Sequence, residues 1–414
     1  MKRRVAVTGM GVVAPNGIGV EAFADAIFNG KSGISTIARF DPTTYKTKVA
    51  AEVKDFDPID YMPIAVARKT DRFAQLGLAA AKMAIEDARL NLGSRELSQA
   101  IVIIGSGLGG LDFHEETIIE VIRANDPKKA AASSVPRITP NAVSAYIALQ
   151  YKILGTNQVI STACSSGAQA IGEAYRKIRS GEAQIAVTGG VEAPVSAVTM
   201  ACYEAMMVLG SSPNGNVIET SRPFDLTRNG FVLGEGSACL VLEEFEHAKG
   251  RGAKIHAEII GFGSNCGAYH MVTPNPTGED SAHAILLALQ DSGLQPDEID
   301  YINAHGTSTK WNDLAETKAI KAAFGKRACQ IPVSSIKSMI GHTIGAAGAI
   351  EAVASCLTLQ RSCVPPTVNL RVSDPECDLD YVPHASRQKE VQTVISNSFG
   401  FGSNNAVLVF RRVS

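Results

Sequence analysis

Cys164 stands where a cysteine can act as a nucleophile. The stretch Gln158-Val159-Ile160-Ser161-Thr162-Ala163 reads as a strand that runs into Cys164-Ser165-Ser166-Gly167, and the segment 166–179 has helical spacing. A side chain at that turn meets the unpaired N–H groups of a helix N-terminus, whose partial positive charge favours thiolate over thiol. Ala163, Ser165, Ser166 and Gly167 are small enough to leave room for an acyl group and to permit a sharp turn. The other reading is a buried structural cysteine, which suits most of Cys202, Cys239, Cys266, Cys329, Cys356, Cys363 and Cys377. No two of the eight form a C-x-x-C pair, so neither a zinc knuckle nor a disulfide scaffold is expected, and no metal site.

Two histidines are candidate partners. His305, in Asn303-Ala304-His305-Gly306-Thr307-Ser308-Thr309, falls just past the predicted strand 299–303, where α/β proteins collect functional groups. His342, in Ser338-Met339-Ile340-Gly341-His342-Thr343-Ile344-Gly345, precedes a predicted helix among glycines that allow close approach. A lone loop histidine is usually a solvated or hydrogen-bonded side chain. Two of them, each in a Gly/Ser/Thr-rich strand-end loop, point to a Cys-His-His centre.

The elements that must hold these residues are legible as short β-branched runs, several ending in glycine: 5–8, 101–105, 158–163, 185–189, 238–242, 255–261, 299–304, 331–335, and from 394 through 407–411. Ala-rich segments with helical spacing lie between several of them, at 73–87, 166–179, 282–291, 313–324 and 346–359. The alternation predicts an α/β protein with sheets covered by helices. A charged, helix-like segment stops at Lys249-Gly250-Arg251-Gly252 before a fresh strand, which divides the chain into similar halves, 1–252 and 253–414. The stretches 208–229 and 125–140 read as long loops, the first lid-like. Gly9-Met10-Gly11 and Gly105-Ser106-Gly107 imitate a dinucleotide fingerprint, but Pro15-Asn16-Gly17 interrupts any helix after the first, and neither has an acidic residue at the right distance. They are expected to be glycine turns at strand ends.

Composition narrows the class. With Lys+Arg 39 against Asp+Glu 41 in 414 residues, and 45% hydrophobic residues, the chain is neither disordered nor a basic nucleic-acid-binding tail. No apolar run approaches about 18 residues, and Thr8-Gly9-Met10-Gly11 breaks the only candidate signal segment. A cytoplasmic protein with no membrane or nucleic-acid partner is expected.

Six motifs in order resemble the β-ketoacyl-acyl carrier protein synthases, most closely the elongating type II branch. They are Thr162-Ala163-Cys164-Ser165-Ser166-Gly167, Ser221-Arg222-Pro223-Phe224-Asp225, Gly230-Phe231-Val232-Leu233-Gly234-Glu235-Gly236, Asn303-Ala304-His305-Gly306-Thr307, Lys337-Ser338-Met339-Ile340-Gly341-His342 and Asn397-Ser398-Phe399-Gly400-Phe401-Gly402. The resemblance spans nearly the whole chain. It implies a thiolase-like fold, with two duplicated halves in a five-layered α-β-α-β-α body, usually a homodimer. It also implies that Cys164 takes an acyl chain from carrier protein, and that His305 and His342 stabilise the enolate left when malonyl-carrier thioester loses CO2. Cys164 and Phe401 would supply the oxyanion hole, Gly400-Phe401-Gly402 the gate, Lys337 and Glu351 an ion pair, and Thr307 and Thr309 the hydroxyls that hold the pantetheine arm. The only prosthetic group implied is the 4'-phosphopantetheine of the partner carrier protein. Arg68, Lys69 and Arg72 match the family's basic docking stretch, and Lys128, Lys129 and Arg137 offer a second basic cluster.

The chain departs from the family pattern at Ser403 and Asn404, where glycine and threonine are usual, at Thr343-Ile344, and at Trp311. These departures suit a specialised ketosynthase of a polyketide or polyene pathway, paired with a chain-length factor, as the alternative to two-carbon elongation in fatty-acid synthesis. A silent partner has no need of Cys164. Thiolases carry a second cysteine where this chain has Phe399-Gly400-Phe401-Gly402, and initiating synthases carry asparagine where it has His342.

Overall fold

The computed structural model describes residues 2–212 and 214–413. Ten strands make the body of one large mixed sheet. They are β1 (Val5–Ala14), β2 (Ile101–Gly105), β3 (Asn157–Ile160), β4 (Ile185–Glu192), β5 (Gly236–Glu244), β6 (Ala257–Cys266), β7 (Tyr301–Asn303), β8 (Val333–Ser334), β9 (Thr393–Gly400) and β10 (Asn404–Arg411). The first five lie in the order β1-β5-β4-β2-β3, and the second five repeat it as β6-β10-β9-β7-β8. Directions repeat too. β5 is antiparallel to β1 and β4, with β2 parallel to β4 and β3; β10 is antiparallel to β6 and β9, with β7 parallel to β9 and β8. The identical winding is the signature of a duplicated unit. The two sets join where Val5, Ala6 and Val7 of β1 pair with Ile259, Glu258 and Ala257 of β6.

Five helices complete the layers: α1 (Arg72–Asp87), α2 (Ser166–Ser180), α3 (Glu279–Ser292), α4 (Lys310–Phe324) and α5 (Ala347–Arg361). α2 and α5 pack on each other between the two sets of strands. Their buried residues show why: α5 buries every residue from Ala347 to Leu359, as only a helix enclosed on all sides can. α1 covers the outer face of the first set, and α3 with α4 that of the second. The result is the five-layered α-β-α-β-α arrangement of the thiolase-like fold. The strands β2, β4 and β7 are buried along their whole length, which is why they read as unbroken apolar runs rather than alternating ones.

Two sequence expectations are corrected. Gly9 and Gly11 are not turns: β1 continues through them to Ala14. A Cβ on Gly9 would lie 2.1 Å from the Ala84 carbonyl oxygen, and one on Gly11 2.1 Å from that of Ala80. The glycines let α1 press onto the strand. The segment 208–229 is not a surface loop throughout, because Thr220, Ser221, Arg222, Phe224 and Asp225 are buried. Arg222 clamps it by donating to the carbonyls of Ser211, Glu219, Thr220 and Thr227. The other long loop, 125–140, contains a short helix, Ser134–Ile138.

Candidate active site

The site lies at the carboxyl ends of the parallel strands of both halves. β3 leads through a 3-10 turn, Ala163–Ser165, into α2, so Cys164 sits against the helix start. Ala163 reaches this turn with φ 52, a left-handed conformation that L residues adopt only at a cost. The second half repeats the device, because Ile344 has φ 47 and leads through the turn Ile344–Ala346 into α5. His305 follows β7, and His342 follows β8 after the short helix Lys337–Ile340. All three reach one cavity of about 370 Å³, together with Thr307, Thr309 and Phe401.

The imidazoles of His305 and His342 meet edge to face with centroids 5.4 Å apart. The Lys337 ammonium lies 3.4 Å from His305 Nδ1 and forms an ion pair with Glu351, with both side chains only 1% exposed. A lysine donates and cannot accept, so it fixes the proton of His305 on Nε2. Burial first, then Lys337 and His342, hold the His305 imidazole well below its usual range. Burial and Lys337 do the same for His342. Both rings are therefore neutral near pH 7. Burial pushes Glu351 up to about 7 against the pull of Lys337.

The thiol departs from the sequence expectation. A helix N-terminus favours thiolate, and the backbone N–H groups of Phe401 and Cys164 and the Lys337 ammonium pull the same way, yet burial outweighs them and pushes Cys164 up to about 12. Desolvation of the charged sulfur at a site 5% exposed is the larger effect. Cys164 rests as a thiol.

Two buried carboxylates that the motifs do not single out hold the loops in place. Glu316 on α4 accepts the backbone N–H of His305 at 2.8 Å and of Gly306 at 2.7 Å, and the Asn397 amide at 3.1 Å. Glu192, the last residue of β4, accepts from Ser106 Oγ at 3.0 Å and from the N–H groups of Gly107, Leu108 and Gly345 at 2.7, 3.0 and 3.1 Å. It thus ties the loop after β2 to the loop that carries His342. A signal existed for each: Glu316 falls on the face of α4 shared by Thr317 and Ile320, and Glu192 ends an apolar strand.

The loop Gly400-Phe401-Gly402 packs on the turn that carries Cys164. A Cβ on Gly400 would lie 2.7 Å from the Thr162 carbonyl oxygen and 3.1 Å from Cys164 N. Beyond Phe401, Gly402 has φ 75 and Ser403 φ 58. Ser403 Oγ accepts from the N–H groups of Tyr269 and His270 at 3.3 and 3.4 Å and donates to the His270 carbonyl at 3.2 Å. Asn404 donates to the Phe401 carbonyl at 3.1 Å. Thr307 and Thr309 share a hydroxyl hydrogen bond of 2.8 Å. Trp311, 61% exposed, stands at the cavity mouth.

Of the basic cluster, Arg68 and Lys69 project into solvent. Arg72 does not belong with them: it donates to Glu235 at 2.8 and 2.6 Å and to the Val53 carbonyl at 2.9 Å, because the fully buried Glu235 requires a counter-charge. In the second cluster Lys128 and Lys129 are exposed, whereas Arg137 stacks on Phe113 at 3.7 Å. Among the described residues no group of three or more His, Cys, Asp or Glu side chains could hold a metal ion, and no helix is long and apolar enough to cross a membrane.

Comparison with known proteins agrees with this geometry. Residues 2–248 match the family model for the beta-ketoacyl synthase N-terminal domain, and residues 256–371 that for the C-terminal domain. The chain is 43% identical to the 3-oxoacyl-[acyl-carrier-protein] synthase 2 of Coxiella burnetii, over 100% of this chain and 99% of that protein. It is also 43% identical to the enzyme of the same name from Vibrio harveyi, over 100% of this chain and 99% of that one. Among solved structures, the ishigamide ketosynthase/chain length factor matches with TM-score 0.93 at 36% identity, covering both chains completely. A type II PKS ketosynthase, solved with its acyl-carrier protein and bound to the hexaketide, matches with TM-score 0.92 at 35% identity, also over both complete chains. The chain belongs to the β-ketoacyl synthase family.

Proposed function

We propose that the protein elongates an acyl chain held on Cys164 by two carbons taken from malonyl-carrier protein, in type II fatty-acid synthesis. The observation that carries this reading is the convergence of Cys164, His305 and His342 on one cavity, with Thr307 and Thr309 also lining it. In the first half-reaction the Cys164 sulfur attacks the carrier thioester, the carbonyl–sulfur bond to pantetheine breaks, and the thiol proton of Cys164 leaves on the pantetheine sulfur. A resting thiol suits that exchange, since no net proton is taken up or released. The N–H groups of Cys164 and Phe401 face the sulfur and are set to receive the carbonyl oxygen as it becomes an oxyanion.

In the second half-reaction malonyl thioester loses CO2, and its electron pair forms an enolate. Neutral His305 and His342 donate N–H bonds to the enolate oxygen. The enolate carbon then forms the new carbon–carbon bond at the acyl carbonyl, the bond to Cys164 breaks, and the thiolate recovers a proton from solvent. Neutral donors serve here because they stabilise the enolate without protonating it at rest. Lys337 and Glu351 act through His305, whereas Gly400, Phe401 and Gly402 admit the acyl chain.

The working unit is a dimer in this reading. Among the described residues the edge strand β3 has no partner on its outer side, and Asn157 and Gln158 are exposed there. The helix Leu111–Ala124 exposes Ile118, Ile119 and Ile122. Pairing two β3 edges about a two-fold axis would cover an open edge that proteins seldom leave bare. The partner is a second copy or a chain-length factor, the division falls at 252/253, and a reducing, cytoplasmic setting suits eight unpaired cysteines. The polyketide reading is favoured by the Ser403 latch, which the family's usual glycine cannot make.

The test is intact-mass measurement after mixing with acyl- and malonyl-carrier protein, with CO2 followed in parallel. Acylation of the native protein but not of Cys164→Ala is expected, whereas Cys164→Gln retains malonyl decarboxylation. An acyl-enzyme on Cys164→Ala would remove Cys164 as the nucleophile.

A further inference from the structure

The three fully buried tyrosines all use their hydroxyls within the protein. Tyr175 donates to the Ile260 carbonyl, Tyr301 bonds Ser334 at 2.8 Å, and Tyr381 bonds Thr317 at 2.6 Å. Tyr203 differs. It is partly buried and lines the cavity that holds Cys164, yet its hydroxyl makes no hydrogen bond among the described residues. Its ring stands edge to face on Phe231 with centroids 5.6 Å apart, and Phe231 in turn meets His342 at 5.3 Å. Burial, with Cys164 and Glu192 adding to it, suppresses ionisation of the phenol, so the group beside the nucleophile is a neutral O–H donor.

Tyr203 packs in one apolar cluster with Cys164, Val195, Met200, Phe231, Leu233 and Ile344, of which Phe231 and Ile344 also line the cavity, while polar groups such as Thr307 and Asn312 line other parts of it. A saturated acyl chain laid along this wall would strip water from the Tyr203 hydroxyl and offer no acceptor in return. A chain bearing a keto or hydroxyl oxygen would satisfy it. Sites built with an unpaired polar group discriminate against ligands that leave the group unmatched.

We propose that Tyr203 is a specificity-determining residue that selects oxygen-bearing acyl chains over saturated chains of the same length. The inference rests on the polyketide form of the ketosynthase reading above and narrows its substrate class. Tyr203 touches the acyl chain away from the reacting carbonyl, and its hydroxyl forms no covalent bond in the reaction.

The experiment uses the full-length protein and carrier-linked primers of equal length: one saturated, and a series with a keto or hydroxyl group moved stepwise along the chain. The rate of Cys164 acylation is read by intact mass for the parent and for Tyr203→Phe, which keeps the ring on Phe231. Alkylation of Cys164 by iodoacetamide reports that the cavity of the variant is intact; should it be lost, Tyr203→Leu is read in the same way. For at least one oxygenated primer the parent should exceed its saturated rate by roughly tenfold, the worth of one buried hydrogen bond, and the variant should bring that ratio close to one. A parent with no preference, or a variant that keeps it, overturns the selectivity alone. Acylation by no primer in either protein overturns the ketosynthase reading, and the selectivity with it.

Discussion

Lys337 Nζ lies 3.4 Å from Nδ1 of His305 while its other side is held by Glu351, so one buried ammonium both sets the histidine tautomer and balances a buried carboxylate. Removing it has two separable consequences. Lys337→Met should lower stability by about 3–5 kcal/mol, because Glu351 is left buried without a partner. Pairing it with Glu351→Gln should restore much of the melting temperature. Neither variant should regain malonyl decarboxylation, which falls by about a hundredfold when the Nε2–H donor is no longer fixed. A double variant with native decarboxylation would confine the pair to a structural role.

Alkylation of Cys164 should depend steeply on pH. With the thiol pushed up to about 12, the thiolate fraction rises close to tenfold for each pH unit across the accessible alkaline range. Iodoacetamide labelling of Cys164, followed by peptide mass spectrometry between pH 7 and about 9, should therefore climb without a plateau. A rate already flat at pH 7 would mean that the helix N-terminus outweighs burial.

The neutral histidines leave a thermodynamic trace. A histidine whose folded pKa lies below its unfolded value of about 6.5 contributes stability that is fully present above that value. The contribution is lost as pH falls below it, because the unfolded chain then binds the extra proton. The raised carboxyls of Glu316 and Glu351 act in the opposite sense, losing stability as pH rises toward about 7. The difference in unfolding free energy between native protein and His342→Gln cancels the carboxyl contributions. That difference should move against the native protein below pH 6.5, by up to about 1.4 kcal/mol per unit, measured by urea titration. A difference independent of pH would place the native imidazole near its ordinary range.

Ser403 should set the ease of gate opening. Its hydroxyl ties the Phe401 loop to Tyr269 and His270. Ser403→Gly removes those bonds, and with Asn404→Thr also the bond to the Phe401 carbonyl. The double variant should acylate faster with long chains by about two- to tenfold, shifting chain-length preference, while iodoacetamide, small enough to need no swing, changes little. An unchanged chain-length profile would make both residues neutral substitutions.

Carrier protein, acidic as a class, should dock through Arg68 and Lys69 and not through Arg72. Lys69→Glu should raise KM for carrier-bound substrate and weaken its dependence on salt. Arg72→Glu should instead lower the melting temperature, since it sets a second acid against buried Glu235. A native KM for Lys69→Glu moves the docking surface elsewhere.

Local sequence determined the main strands and helices and pointed to the candidate reacting groups. β2 and the helical segments were readable because a buried parallel strand is a continuous apolar run and a packed helix repeats near 3.6 residues. Cys164, His305 and His342 were readable because each sits in a small-residue loop at an element end. What the tertiary structure alone decided depends on distance through space and on water. The carboxylate of Glu192 holds backbone from loops of both halves, brought together only by their packing, and that of Glu316 holds the His305 loop to Asn397 across its own half. Arg72 left the basic cluster because Glu235, 163 residues away, lies buried beside it. The state of Cys164 was reversed for the same reason: sequence shows the helix that would favour a thiolate, whereas only the assembled core removes the solvent that a thiolate requires.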